Sequence, residues 1–225
     1  MTTPDSEGPG SHTVVDGVTV GPFQENAFFL RLQDDDRVIV IDPGDEAARL
    51  QDVIDRRGWK PVAIVNTHGH LDHIGAVAPL QERYGIPFYL HASDIPILEQ
   101  SREDAAYFGV PEPAMPRVDH QLQHDQQLEL AGLSLRVLHT PGHTPGGVSL
   151  CVDGRVFSGD ALFLSSIGRT DLPGGHAGTL LRSIHERLLT LPDATVVHCG
   201  HGADTTIGRE RSQNPFLVDH DGRTV

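Results

Sequence analysis

Positive charge is scarce in this chain of 225 residues. Lysine occurs once, at Lys60, and 16 arginines make up the rest of the 17 cationic side chains against 31 acidic ones, for a formal charge of −14. A surface of that sign repels polyanions, which excludes nucleic acid and an anionic membrane as main partners. Cysteine is nearly absent. Cys151 and Cys199 are too few for a disulfide framework and lack C-x-x-C spacing. No apolar run approaches the roughly 20 residues that span a bilayer. Met1 to Ser11 has neither a basic start nor an apolar centre, so no signal peptide is expected and a cytoplasmic location is the default.

What remains is an ordinary globular composition, 38% hydrophobic and 21% charged, with enough length for a substantial core. Its unusual component is histidine, 14 in all. Three of them fall with an aspartate inside six residues, as His68, His70, Asp72 and His73, directly after the apolar run Pro61–Val65. Imidazole and carboxylate are ligands for borderline and harder divalent cations, and such crowding is costly unless a cation balances it. The stretch therefore reads as a metal site at the end of a strand.

Strand-like runs are expected at Thr13–Val20, Ala27–Leu32, Arg37–Ile41, Val62–Val65 and Pro87–Leu90. Helices are expected at about Glu46–Arg57, Ile74–Tyr84 and Ser93–Glu99. Ser101–Asp119, with three prolines, reads as an irregular surface excursion, either a lid or a spacer over the sheet edge. Strands then resume at Gln126–Leu130, Leu133–Leu138, Val148–Val152, Arg155–Ser158 and Thr195–His198, with hairpin turns at Ala131-Gly132 and Asp153-Gly154. One helix is expected at about Gly178–Leu189, and the chain from Thr206 onward looks loosely packed. Strands followed by helix, strand and helix, twice over, suggest an α/β (α+β) protein of two packed sheets with helices outside. No linker interrupts 13–218, so a single domain is expected there, between tails at 1–12 and 219–225.

Three later stretches repeat one arrangement of strand, Gly-rich turn and ligand-type residue. They are His139-Thr-Pro-Gly-His143, Ser158-Gly-Asp160 and His198-Cys-Gly-His201. Loops at the carboxyl ends of strands are where sheet proteins tend to build sites.

Together with the His-rich stretch, these residues resemble the ligand motifs of the metallo-β-lactamase superfamily, in order and over nearly the whole chain. The resemblance implies the four-layer αββα sandwich of that family and two divalent cations, zinc first, with iron or manganese as alternatives. It places one cation on His68, His70 and His143 and the other on Asp72, His73 and His201, with Asp160 bridging both. Asp42, ending an early strand, falls where the family often has a buried aspartate behind the ligands. Asp72 and Asp160 are the expected catalytic carboxylates. Two cations about 3.5–4 Å apart share a hydroxide and lower the pKa of its parent water toward neutrality, which suits attack on a carbonyl. His139, His198, His91, His120, His124, His176, His185 and His220 are expected to be structural or surface residues, and Cys199 an inert packed thiol.

Phe163–Gly175 (FLSSIGRTDLPGG) and Gly200–Leu217 are similar to the short glyoxalase II-like hydrolases. They imply hydrolysis of thioesters between small 2-hydroxy acids and a low-molecular-weight thiol. The alternatives are an iron-dependent persulfide dioxygenase, which shares the GRTD element and would use His68, His143 and Asp160, and another hydrolase of the fold such as a lactonase. Arg169 and Asp171 stand where full-length glyoxalase II enzymes carry glutathione-contacting Lys and Tyr. The carrier is then glutathione or another thiol. Arg169 is the candidate for a substrate carboxylate, with an internal ion pair to Asp171 as its alternative role. The expected partner is a small-molecule thioester or thiol conjugate.

Overall fold

The strands β1 (Thr13–Val20), β2 (Glu25–Leu32) and β3 (Arg37–Ile41) pair antiparallel as a meander. Beside them β4 (Lys60–Val65), β5 (Phe88–His91) and β6 (His120–Leu122) add in parallel, giving a six-stranded mixed sheet in sequence order. The second sheet takes β7 (Gln127–Leu130), β8 (Leu133–His139), β9 (Val148–Val152) and β10 (Arg155–Gly159), all antiparallel. A two-stranded ribbon of β11 (Leu162–Phe163) and β12 (Ser166–Ile167) intervenes before β13 (Val196–Cys199), parallel to β10, and the edge strand β14 (Thr205–Thr206). This computed structural model describes residues 12–218. The expected tails at 1–12 and 219–225 therefore lie outside the described residues, His12 apart, as does His220.

Layering follows from the two-residue period of the strands. In β2, Ala27 and Phe29 join a core facing α1 (Ala47–Arg57) and α3 (Val77–Tyr84), while Phe28 and Leu30 face the second sheet. In β3, Val38 and Val40 point to the helices and Ile39 and Ile41 to the other sheet. Leu135, Val137, Leu150 and Phe157 meet them from the second sheet. On its far side that sheet packs Val156 and Val197 against Leu180 and Ile184 of α5 (Ala177–Ser183) and the π-helical turn Ile184–Leu188 that prolongs it. Strands covered on both faces read as continuous apolar runs, which is why they are plain in the sequence. The result is the expected αββα sandwich. Both hairpin turns also form as expected, with positive φ at Ala131, Gly132, Asp153 and Gly154.

Three expectations need correction. The helix expected over Ile74–Tyr84 is two pieces, α2 (Leu71–Ile74) and α3, because Gly75 and Ala76 donate their amides to Gly44 and Pro43 rather than to the preceding turn. The helix expected to stop at Glu99 continues as α4 (Ile95–Phe108), so the irregular excursion shrinks to residues 109–119. Ser101 is buried within α4 without cost, its hydroxyl donating to the Leu98 carbonyl at 2.7 Å, and Gly109 ends the helix in the left-handed region.

The tail from Thr206 is core, not loosely packed. Thr206 caps α6 (Ile207–Gln213), and Glu210, fully buried, accepts from Thr205 Oγ1 at 2.6 Å, the Ser165 amide at 2.8 Å and Asn214 Nδ2 at 2.9 Å. Ile207 and Leu217 are fully buried against the second sheet. Leu217→Ala should consequently lower unfolding stability by about 2–5 kcal/mol. Urea denaturation checks this, and a change below about 0.5 kcal/mol, typical of an exposed position, contradicts it.

Candidate metal centre

All the clustered donors sit where strands of the two sheets end. β4 runs into Asn66-Thr67 and delivers His68 and His70, and the short helix α2 adds Asp72 and His73. From the second sheet β8 leads to the loop of His143, β10 to Asp160 and β13 to His201. The ring nitrogens of His68, His70 and His143 lie within 4.8 Å of one another, as do ligand atoms of Asp72, His73 and His201. Asp160 stands between the groups. Its Oδ1 is 3.4 Å from His73 Nε2, and its Oδ2 is 3.6 Å from His143 Nε2 and 3.5 Å from His201 Nε2. The structure thus brings together all seven donors named from the sequence.

Three of the five histidines hydrogen-bond the scaffold through one nitrogen, and a fourth, His73, has a carboxylate behind it. His143 Nδ1 meets the Arg169 carbonyl at 2.7 Å and His201 Nδ1 the Phe23 carbonyl at 3.0 Å. A carbonyl only accepts, so each Nδ1 carries a proton; His143 Nε2 is left to turn a lone pair inward, while His201 Nε2 lies 3.2 Å from Asp72 Oδ2. Thr67 Oγ1 donates to Asp42 Oδ2 at 2.6 Å, which leaves it to accept from His68 Nδ1 at 3.1 Å. His73 Nδ1 is 3.2 Å from the same Asp42 oxygen. Asp42, left-handed at φ 46°, also accepts the Thr67 amide at 2.7 Å. It lies behind two of the histidines at once, in the place expected for it.

The inward atoms are left wanting. His68 Nε2, His73 Nε2 and Asp160 Oδ1 are buried with no hydrogen-bond partner, and His70 Nδ1 and His143 Nε2 face each other at 2.9 Å. Orphaned buried polar atoms are rare in native proteins because each costs about 1–3 kcal/mol. Neutral imidazoles and carboxylates converging in two sets around a shared carboxylate are the donor chemistry of divalent cations of the zinc type, and the residues fit a pair of them.

Electrostatics divides the centre. Burial, then repulsion among the rings, holds His68 well below the usual histidine range, and burial brings His70 down to about 3. His73 and His201 go the other way. For both, burial opposes protonation, but the Asp160 charge beside His73 and the Asp72 hydrogen bond to His201 outweigh it and raise them. Asp160 and Asp72 are correspondingly held low against burial, by the His73 charge and the His201 hydrogen bond respectively. A cation binding there competes with protons for His73 and His201.

Two acids escaped the sequence reading. Glu25 is buried beside His73 with both oxygens unpaired, and burial pushes its carboxyl well above the usual range. Asp94 is fully buried between the loops of His70 and His143. Glu25 precedes Asn26, whose side-chain amide donates to the carbonyls of Cys199 and Gly202, while its backbone amide donates to that of Gly200. Neither acid belongs to a motif, so only the fold reveals it.

Other candidates take structural places. His198 pairs with Asp204 at 2.8 Å and stacks on Phe157, and His139 stacks on His91 with ring centroids 4.4 Å apart. His176 caps α5. Burial raises the Cys199 thiol to about 12, which suppresses its thiolate. Arg169 forms a two-bond fork with Asp171, at 2.7 and 2.8 Å, on the rim of the cleft above the donors. That is its alternative role, although an exposed pair exchanges partners at little cost. The cleft, about 420 Å³, is walled by Phe23, Ile97, Phe108, Phe163, Ile167 and Leu172 and floored by His70, Asp72, His143, Asp160 and His201. No helix among the described residues is long and apolar enough to cross a membrane.

A profile of the metallo-β-lactamase superfamily matches residues 20–201. The probable metallo-hydrolase YqgX of Bacillus subtilis is 45% identical, over 88% of this chain and 94% of that protein. The hydroxyacylglutathione hydrolase GloC of Haemophilus influenzae is 37% identical, over 89% and 96%. Among solved structures, the BLEG-1 B3 metallo-β-lactamase superposes with a TM-score of 0.83 at 40% identity, over 92% of this chain and all of that one. TTHA1623 in a di-iron-bound form superposes with a TM-score of 0.82 at 44% identity, over 90% of this chain and all of that one.

Proposed function

The chain belongs to the metallo-β-lactamase superfamily, and from that premise we propose that it is a dinuclear metal-dependent hydrolase of thioesters joining small 2-hydroxy acids to a low-molecular-weight thiol. His68, His70 and His143 would hold one cation and Asp72, His73 and His201 the other, with Asp160 common to both. Such a pair supplies Lewis acidity toward a carbonyl oxygen and brings a water's pKa toward neutrality.

The protein's own contribution is position and charge. Asp72 and Asp160 place two negative charges at the cleft floor among five rings, three of them held from behind by Thr67, Arg169 and Phe23 and a fourth, His73, facing Asp42 at 3.2 Å. Phe23, Phe108 and Phe163 wall the approach and limit bulk water around the scissile bond. The observation that carries the thioester assignment is what the cleft omits. Apart from the metal donors, the ionisable groups that line it among the described residues are Asp104 and Arg169, and neither belongs to the donor cluster. A leaving group that departs as an anion needs no proton from the protein, and a thiolate, with a thiol pKa near 8.5, is such a group. An amide nitrogen is not, which disfavours a β-lactam substrate despite the B3 structural relative. The GloC relative, named for a thioester hydrolysis, supports the same assignment.

A second reading has one observation behind it. His68 and Asp160 fall in one cluster, and His143 Nε2 is 3.6 Å from Asp160 Oδ2, so the three ligands of an iron-dependent persulfide dioxygenase are also together. Metal analysis of the purified protein, hydrolysis of S-D-lactoylglutathione and O2 uptake on glutathione persulfide separate the two. Two metals per chain and thioester turnover with kcat/KM of about 10⁴ M⁻¹s⁻¹ or more are expected. One iron per chain, O2 uptake and no thioester turnover would reject the hydrolase.

A further inference from the structure

Asp94 belongs to no motif, touches no donor atom and is fully buried, yet it meets both loops that carry the first donor set. Its Oδ2 accepts the amide of Gly69, between His68 and His70, at 3.0 Å. The same oxygen accepts from Thr144 Oγ1, next to His143, at 2.8 Å, and Oδ1 accepts the Gly146 amide at 2.5 Å. One carboxylate therefore ties a loop of the first sheet to a loop of the second. Both loops come close enough only because they present glycine. A Cβ on Gly146 would lie 2.6 Å from the Asp94 amide nitrogen, and one on Gly69 2.9 Å from its carbonyl oxygen.

We propose that Asp94 is a positioning residue that sets the spacing of His68 and His70 against His143, so that the first donor set is converged before a cation arrives. The proposal rests on the dinuclear reading above. Three hydrogen bonds to a charged acceptor hold two loops that would otherwise separate. The second donor set, on α2 and on the loops after β10 and β13, makes no hydrogen bond to Asp94 and should not depend on it. In Asp94→Asn the geometry survives but an amide N–H2 must face one of the donors that the carboxylate accepts.

Cation affinity, measured by zinc competition with a chromophoric chelator, tests this in two parent proteins. His201→Ala keeps the first donor set intact, and His70→Ala keeps the second. Asp94→Asn should weaken zinc about 10–100-fold in the His201→Ala parent, the usual effect of losing a group behind a ligand. In the His70→Ala parent it should leave zinc binding unchanged. Thr144→Val removes one of the three bonds while keeping side-chain volume. It should show the same one-sided loss at about fivefold, and it decides the matter should Asp94→Asn fail to fold. Equal loss in both parents, or loss in neither, overturns the proposal while leaving the dinuclear reading intact. Failure of either parent to bind zinc at all overturns both.

Discussion

Asp160→Ala should fold and yet lose hydrolase activity by about 10³-fold or more, with bound metal falling from two ions per chain toward one. Asp160 lies within 3.6 Å of ring nitrogens from both sets. Removing it takes away the negative charge that offsets repulsion between two cations, as well as one ligand of each. Loss of a single charge-stabilising group typically costs 10²–10³, about 2.7–4 kcal/mol, and this substitution removes more than one such function. The fold should survive, because Asp160 follows β10 in a loop and its removal also frees His73 from a buried charge. Turnover of S-D-lactoylglutathione alongside metal analysis checks this. Full activity with two bound ions would remove Asp160 from the bridging role.

Chelation should lower thermal stability by about 10 °C or more, reversibly on adding zinc. An ion present at 1,000 times its Kd stabilises by about 4.1 kcal/mol, and a chain of this size shifts roughly 2–4 °C per kcal/mol. The protein without its ions also keeps the orphaned atoms of His68, His73 and Asp160 in its interior. Calorimetry with and without chelator, at fixed protein concentration, measures the shift. A change below about 2 °C would mean that the donors are satisfied without cations.

The donor set was legible because each donor follows an apolar strand and precedes or includes a glycine-bearing turn, a local signal. So was the layering, since β2, β3 and β4 are covered on both faces and read as continuous apolar runs. Two of the oversights, Glu210 and Asp94, are buried acids with partners distant in sequence. Glu210 made α6 look soluble, and only its bonds to Ser165 and Thr205 show why a carboxylate is tolerated inside. Gln100-Ser101-Arg102-Glu103-Asp104 hid the second half of α4, whose apolar face is thin and rests on Leu98 and Ala105. Asp94 is an unremarked acid until Gly69 and Gly146, 25 and 52 residues away, close on it. Arg169 carried two roles in its motif, a substrate contact and an ion pair with Asp171, and the ion pair is the one formed here.

Asn26 and the Phe23 carbonyl hold the His201 loop. That brace and the donor it steadies are 178 residues apart in sequence. A chain made only as far as His73 has that brace and four of the donors but still lacks His143, Asp160 and His201. The proposed second ion should therefore load only once the turn before β2 has met the loop after β13, which makes its presence a report on that long-range closure. Truncations that remove residues 12–26 should retain one ion and lose the other, a stoichiometric signature distinct from general unfolding.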